Sequence, residues 1–151
     1  MNALPADTRT LFYGEARTLY CTADVIAPTV FDENPLDAEI GEADRAADVH
    51  RALRGRGITH VYVNLPELHR LQWSYAFRYD GHAWPGYTTL TARAELARLY
   101  AFLRQHGRIV YPEVPGRAGP FHRAFVQTVG SADRDVVPRA PAPFFVYELV
   151  P

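Results

Sequence analysis

The sequence predicts a single α/β domain over residues 1–151, a three-layer, Rossmann-like fold with a mostly parallel sheet and an antiparallel hairpin at its C-terminal edge. Two observations predict this class. An amphipathic helical pattern that ends at a glycine is twice followed by a short apolar strand, first Ile58–Asn64 and later Arg108–Tyr111. Such alternation of helices and buried strands is typical of α/β domains. A last apolar stretch, Phe144–Leu149, predicts the strand that pairs antiparallel with Arg108–Tyr111.

The N-terminal part predicts two short strands. Thr10–Tyr13 is apolar and ends at Gly14, and a short helix is expected to begin at Glu15. Asp24–Ala27 predicts the second strand. The segment Phe31–Leu36 is rich in residues that favour turns, and it predicts a polar loop.

The central helix and strand are the unit around which the rest of the chain is arranged. From about Glu42 the apolar residues recur at helical spacing, and the face that they form contains Ala43, Ala46, Val49, His50 and Leu53. Gly55 or Gly57 can adopt the left-handed conformation that ends a helix. The strand Ile58–Asn64 follows, and we expect a right-handed crossover that makes it parallel to its neighbour.

The C-terminal half predicts one more helix and a long connection. Residues 72–87 are aromatic and predict an irregular segment. Thr89 or Thr91 is expected to cap the next helix, whose apolar stripe contains Leu96, Leu99, Tyr100 and Leu103. Residues 114–143 are rich in proline, glycine and arginine and predict a long connection, which Phe121 and Phe125 hold against the domain.

Composition excludes several classes of function. The apolar fraction of 48% argues against disorder, and the net charge of -1 gives no general attraction to nucleic acid. The chain has no lysine, which excludes Schiff-base and P-loop-lysine chemistry. Cys21 is the one cysteine, so no intrachain disulfide can form. No apolar run approaches the roughly 20 residues that cross a bilayer.

Polar residues follow the first and the central strand directly. These candidates for ligand binding are Gly14, Glu15, Arg17, Asn64, Glu67 and Arg70. Ligands of open α/β sheets usually bind at the carboxyl ends of the strands, so these side chains can hold a polar ligand. They can also form a structural network, the interpretation that the sequence favours, in which Glu15 caps a helix and the charged groups pair across the strand ends. Glu15 and Glu67 are also, in principle, an acid and base pair.

No recognised catalytic or cofactor signature is present. The chain lacks G-x-G-x-x-G, Walker A, His-Glu-x-x-His and Gly-x-Ser-x-Gly patterns, and its six histidines are scattered. We therefore predict neither a cofactor nor a metal, and we assign no catalytic residue in this chain.

Three short strings resemble a known family. They are Gly14–Arg17, the loop Phe31–Leu36 that contains Asn34, and Gly57–Asn64 followed by Glu67, Arg70 and Tyr75. The chain up to about residue 114 is similar to a soluble extracytoplasmic domain at the C-terminus of bacterial polytopic membrane glycosyltransferases. Those proteins resemble dolichyl-phosphate-mannose mannosyltransferases and use lipid-linked sugar donors.

The resemblance implies a non-catalytic accessory domain at the extracytoplasmic face of the bacterial inner membrane. The catalytic acidic residues of the whole protein would lie in loops between its membrane helices. Partners would be the transmembrane portion of that protein, and a glycan acceptor or a lipid-linked sugar. The resemblance adds Asn34 and Tyr75 to the candidate ligand-binding residues.

Two other classes of function stay open from the sequence. One is a stand-alone, cytoplasmic α/β protein that binds or acts on a polar ligand through Glu15, Arg17, Asn64 and Glu67. The other is a protein-interaction module that uses the aromatic stretch between Trp73 and Tyr87, although such a cluster is also typical of a small core beneath a loop.

Overall fold

The computed structural model describes residues 4–18, 21–29, 31–75, 77–78, 82–83, 93–113, 116, 118–130 and 139–151. Its strands are β1 (Arg9–Tyr13), β2 (Asp24–Ile26), β3 (His60–Asn64), β4 (Phe77–Arg78), β5 (His82–Ala83), β6 (Gly107–Tyr111) and β7 (Phe144–Leu149). Its helices are α1 (Pro35–Glu42), α2 (Ala46–Gly55), α3 (Leu65–Tyr75), α4 (Arg93–His106) and α5 (Ala118–Gly130). The fold is α/β, as predicted.

A mixed five-stranded sheet forms the centre of the domain, in the order β2-β1-β3-β7-β6. β1 is parallel to both β2 and β3, and β7 is antiparallel to both β3 and β6. The order therefore differs from the classic doubly wound arrangements. The predicted antiparallel pairing of β7 with β6 is confirmed. The edge position belongs to β6, because β7 is inserted between β6 and β3 with Phe145 and Tyr147 fully buried.

The described helices form a single layer on one face of this sheet. α1 contacts α2 and α4, α2 contacts α4, and α5 contacts both α4 and α3. The strand residues in their shared core alternate along each strand, and they are Leu11, Tyr13, Val61, Val63, Phe145, Tyr147 and Leu149. The described part of the chain thus has two layers, where three were predicted.

The helix predicted to begin at Glu15 is not formed over the described residues 15–18, which are irregular. The Glu15 carboxylate accepts a hydrogen bond from the backbone N–H of Arg17, two residues later. Such a local bond from side chain to backbone competes with helix formation.

The predicted polar loop at residues 31–36 contains the start of α1. Asn34 accepts a hydrogen bond from the N–H of Leu36 and caps the helix, and Pro35 occupies its first position. α2 begins at Ala46, and its predicted closure by Gly57 is confirmed by a φ of 77° at that residue.

The long connection predicted over residues 114–143 contains α5, a helix of 13 residues. Its buried residues are Phe121, His122, Ala124, Phe125, Thr128 and Val129, which recur at helical spacing. Pro120 lies in the first turn, where a missing N–H costs no hydrogen bond. The prediction of a connection was wrong because proline and glycine concentrate around the ends of this helix. The predicted anchoring by Phe121 and Phe125 is confirmed, since both are fully buried.

Several predictions concern residues outside the described part. The capping positions Thr89 and Thr91 and most of the aromatic stretch are among them. Within residues 72–87, the described backbone contains the end of α3 and the short hairpin of β4 and β5. In the described ranges, none of the helices combines the length and apolar character needed to span a bilayer.

Candidate functional site

The carboxyl ends of β1 and β3 lie side by side. The two strands pair in parallel, with Thr10 beside His60. Gly14 follows β1 with a φ of 76°, in the left-handed region that favours glycine. A Cβ at Gly14 would lie 2.6 Å from the Cβ of Leu68 and 2.8 Å from the backbone oxygen of Asn64. The group that approaches the Gly14 backbone is therefore the protein's own helix α3.

Glu15 is the centre of the polar cluster at these strand ends. Arg17 donates to the Glu15 carboxylate from Nε and from Nη2, each over 2.7 Å, and from its backbone N–H over 3.0 Å. Asn64 donates to Glu15 Oε2 over 3.1 Å from the end of the neighbouring strand. The Glu15 side chain is 10% exposed, whereas that of Arg17 is 73% exposed. The cluster thus presents a guanidinium to solvent above a sheltered carboxylate.

Asn64 joins this pair to helix α3. While its amide nitrogen donates to Glu15, its Oδ1 accepts a hydrogen bond from the backbone N–H of Glu67 over 3.2 Å. This is the geometry of a helix N-cap, because Glu67 is the third residue of α3. Asn64 therefore uses both ends of its amide within the protein.

Glu67 and Arg70 form the second ion pair of the cluster. Arg70 donates to the two carboxylate oxygens from Nε over 2.9 Å and from Nη2 over 2.7 Å. Four of the predicted charged side chains are thereby brought together as two bidentate pairs, and their formal charges cancel. We define the strand-end cluster as Glu15, Arg17, Asn64, Glu67 and Arg70.

Both carboxylates of the strand-end cluster stay ionised at neutral pH. Partial burial acts to raise the pKa of Glu15, but the hydrogen bonds and charge of Arg17 outweigh it, and the pKa lies below its usual value. Hydrogen bonds from Arg70 hold the pKa of Glu67 below its usual value as well. A general acid or base works best with a pKa near the working pH, and these shifts move away from it.

Two predicted site residues are not part of the cluster. Asn34 is buried; its amide nitrogen donates to the backbone oxygen of Phe12 over 3.1 Å and its Oδ1 caps α1. Both amide groups are thus used to attach α1 to β1. Tyr75 is the last residue of α3, and its side chain lies outside the described part of the structure.

An aromatic row beside the cluster was missed by sequence reasoning. It consists of Tyr62, Phe144 and Tyr111, on the face of the sheet opposite the helix layer. The ring centroids of Tyr62 and Phe144 are 6.1 Å apart, and those of Phe144 and Tyr111 are 5.5 Å apart and stacked. Tyr111 is 48% exposed and Phe144 is 37% exposed. The alternation of side chains along β3 and β7 was the available signal, but β3 was interpreted as a buried strand and β7 as a strand at the edge of the sheet.

Tyr62 places this row close to the strand-end cluster. Burial raises the pKa of Tyr62, and the negative charge of Glu15 raises it further. Tyr62 also lies two residues before Asn64 on β3, so the two side chains are on the same face of the sheet. Polar groups and flat apolar surface are therefore adjacent at this end of the sheet.

The remaining chemistry of the described residues is limited. In the part of the chain that the structure describes, no three His, Cys, Asp or Glu side chains lie close enough to hold a metal ion.

No protein-family model, curated protein or solved structure matches this chain. The resemblance to membrane glycosyltransferases therefore stays a prediction from the sequence.

Proposed function

We propose that this chain is a non-catalytic accessory domain of a membrane glycosyltransferase that uses lipid-linked sugar donors, and that its strand-end cluster binds a glycan. The glycan is the acceptor or the sugar of the donor. The observation that carries the proposal is the hydrogen bond between Asn64 and Glu15, which joins two ion pairs into one partly exposed polar surface beside Tyr62.

The chemistry of the cluster suits a neutral, hydroxyl-rich ligand. A sugar hydroxyl can donate to a carboxylate and accept from a guanidinium, and the cluster offers both kinds of group. Because the formal charges of its two ion pairs cancel, the cluster has no excess positive charge to attract a phosphate. The aromatic row offers an apolar face of the kind against which the C–H face of a pyranose ring packs.

Binding is favoured over acid–base chemistry by the state of the two carboxylates. Each is held in its ionised form by a bidentate arginine, and the pKa of each lies below its usual value. Protonation of either group at neutral pH would require breaking the pair that holds it. This supports the accessory role over the alternative in which Glu15 and Glu67 perform catalysis.

A stand-alone protein that binds a polar ligand would use the same cluster, so the two proposals differ only in whether the chain belongs to a membrane protein. The coding sequence in frame with this chain tests that difference. Apolar segments of about 20 residues in the same product support an accessory domain. A mature product without any of them contradicts the membrane part of the proposal and leaves the binding part standing.

Binding itself is tested by titrating the ¹⁵N-labelled chain with neutral disaccharides such as mannobiose and following the backbone amide shifts. We expect shifts at Glu15, Asn64 and Glu67, and we expect Glu15→Gln to remove them. The matched control is Glu39→Gln, since Glu39 forms a similar pair with Arg56 over 2.7 Å in the helix layer. Loss of stability in Glu15→Gln with unchanged glycan binding would show that the cluster is structural only.

A further inference from the structure

A cavity of about 900 Å³ lies between α4, α5 and the edge strand β6, and it shares no lining residue with the strand-end cluster. Tyr100 and Arg104 line it from α4, Ile109 from β6, and Gly119 and His122 from α5. Its volume falls in the range of small-molecule sites, about 300–1,000 Å³. The cavity therefore has room for an organic ligand and walls of mixed polarity.

Arg104 supplies a cation to this cavity, which Arg108 and Glu113 also line. Its guanidinium lies 5.7 Å from the centroid of the Tyr100 ring, one helical turn earlier on the same face of α4. Among the described residues, no carboxylate lies within ion-pair distance of Arg104. The Arg9, Arg17, Arg45, Arg51, Arg56, Arg70 and Arg108 side chains all have such a partner. Of the described arginines that line the cavity, Arg104 is thus the one left to pair with an anionic ligand.

His122 contributes a buried imidazole ring to the cavity lining. The residue is 4% exposed, and its Nδ1 lies 2.9 Å from the hydroxyl oxygen of Tyr147. Burial, reinforced by the charge of Arg104, lowers the pKa of His122 to about 4, so the ring is neutral at pH 7. Burial raises the pKa of Tyr147 well above its usual value, so its hydroxyl keeps its proton and can donate to Nδ1. In the tautomer in which the Tyr147 hydroxyl donates to Nδ1, the ring proton is on Nε2, which can then donate to a ligand.

We propose that this cavity binds a small organic carboxylate, whose charged group pairs with Arg104 and accepts a hydrogen bond from His122 Nε2. The Tyr100 ring and Ile109 contact the apolar body of the ligand. Arg108, the other arginine that lines the cavity, is paired with Glu148, so Arg104 is the guanidinium left to form a bidentate pair with one carboxylate. Glu113 also lines the cavity and disfavours a phosphate dianion, which would bring a second negative charge beside it. The first turn of α5, which contains no acidic residue, adds favourable partial charge.

The test is an amide-shift titration of the full chain with benzoate, with benzamide and phenyl phosphate as comparison ligands. Benzamide has the same shape without the charge, and phenyl phosphate carries the larger charge. We expect saturable shifts at Arg104, Ile109 and His122 with benzoate, and weaker shifts with both comparison ligands.

Two surface variants separate binding from folding. Arg104→Gln removes the charge and is expected to weaken benzoate binding by roughly tenfold or more. Gly119→Leu is expected to abolish binding, because Gly119 lines the cavity and a Cβ there meets no atom within 4 Å, which leaves room for the longer side chain to occupy the ligand's space. Arg93→Gln, at the start of the same helix, is the matched control and is expected to bind as the unmodified chain does.

Three results would overturn the proposal. They are equal shifts with benzamide, benzoate shifts that persist in Gly119→Leu, and an absence of saturable shifts at these residues in the folded, unmodified chain. The amide spectrum of each variant reports its fold in the same experiment, so a misfolded variant is recognised and Arg104→Gln then decides the outcome.

Discussion

The amide of Asn64 donates a hydrogen bond to the carboxylate of Glu15 over 3.1 Å, although the two residues are 49 positions apart in the chain. The bond crosses the ends of two parallel strands. It is the contact that turns two separate ion pairs into one surface, and the same Asn64 caps α3. Changes at this residue therefore affect helix stability and the charge of the site together.

Asn64→Ala is expected to lower the free energy of unfolding by about 1–2 kcal/mol, because it removes an N-cap and a bond to a sheltered carboxylate. Asn64→Asp keeps a capping oxygen but places a second negative charge beside Glu15, which should raise the pKa of Glu15. Urea denaturation measures the first effect, and carboxyl NMR titration measures the second. Unchanged stability in Asn64→Ala would show that the cap contributes nothing.

Gly14→Ala is expected to destabilise the domain by about 2 kcal/mol or more, since the new methyl group meets both Leu68 and Asn64 in a left-handed backbone conformation. Gly41 provides the matched control within α1, because a Cβ there meets no atom within 4 Å. Gly41→Ala should stabilise the domain by roughly 0.5–1 kcal/mol through helix propensity. Thermal and urea unfolding measure both variants, and similar effects at the two glycines would contradict the packing role of Gly14.

His122 should make stability depend on pH between about 6.5 and 4. Its folded pKa of about 4 lies below the ordinary value of 6.5, so the unfolded chain binds a proton first as the pH falls. The stabilisation is therefore complete above pH 6.5 and is lost as the pH falls towards 4, by about 3 kcal/mol in total.

His50 and His60 add to this slope in the same direction, because burial lowers the pKa of each. Urea unfolding across this pH range measures the slope. His122→Gln should flatten it by the share that His122 contributes, whereas an unchanged slope in that variant would assign the effect to the other histidines.

Tyr111→Ser tests whether the aromatic row extends the proposed glycan site. Removing one partly exposed ring should change stability little and weaken disaccharide binding by about 0.5–1.5 kcal/mol, the contribution typical of an aromatic contact. Phe31→Ser is the control, because Phe31 is 62% exposed and lies in the loop before α1, outside the row. Isothermal titration measures both. Equal losses in the two variants would show that the row has no special part in binding.

The sequence predicts the part of the candidate site that lies at the carboxyl ends of β1 and β3. Glycine after β1 and the polar residues after β3 predicted that Glu15, Arg17 and Asn64 meet, and they do. That prediction required only that the two strands be parallel neighbours. The assignment of Asn34 to the site rested on a short matching string, and the structure places this residue at the start of α1 instead.

The sequence by itself determined where the five strands of the main sheet and the helices α2 and α4 lie, because apolar periodicity and glycine positions act within a few neighbouring residues. It predicted β3 and β7 correctly, and it predicted a left-handed glycine after α2, which is Gly57. Only the tertiary structure decided that the described helices share one face, that β7 enters the sheet beside β3, and that Tyr62, Phe144 and Tyr111 align. These outcomes depend on which apolar surfaces cover one another across long stretches of chain. Local pattern shows that a face is apolar but does not show its partner.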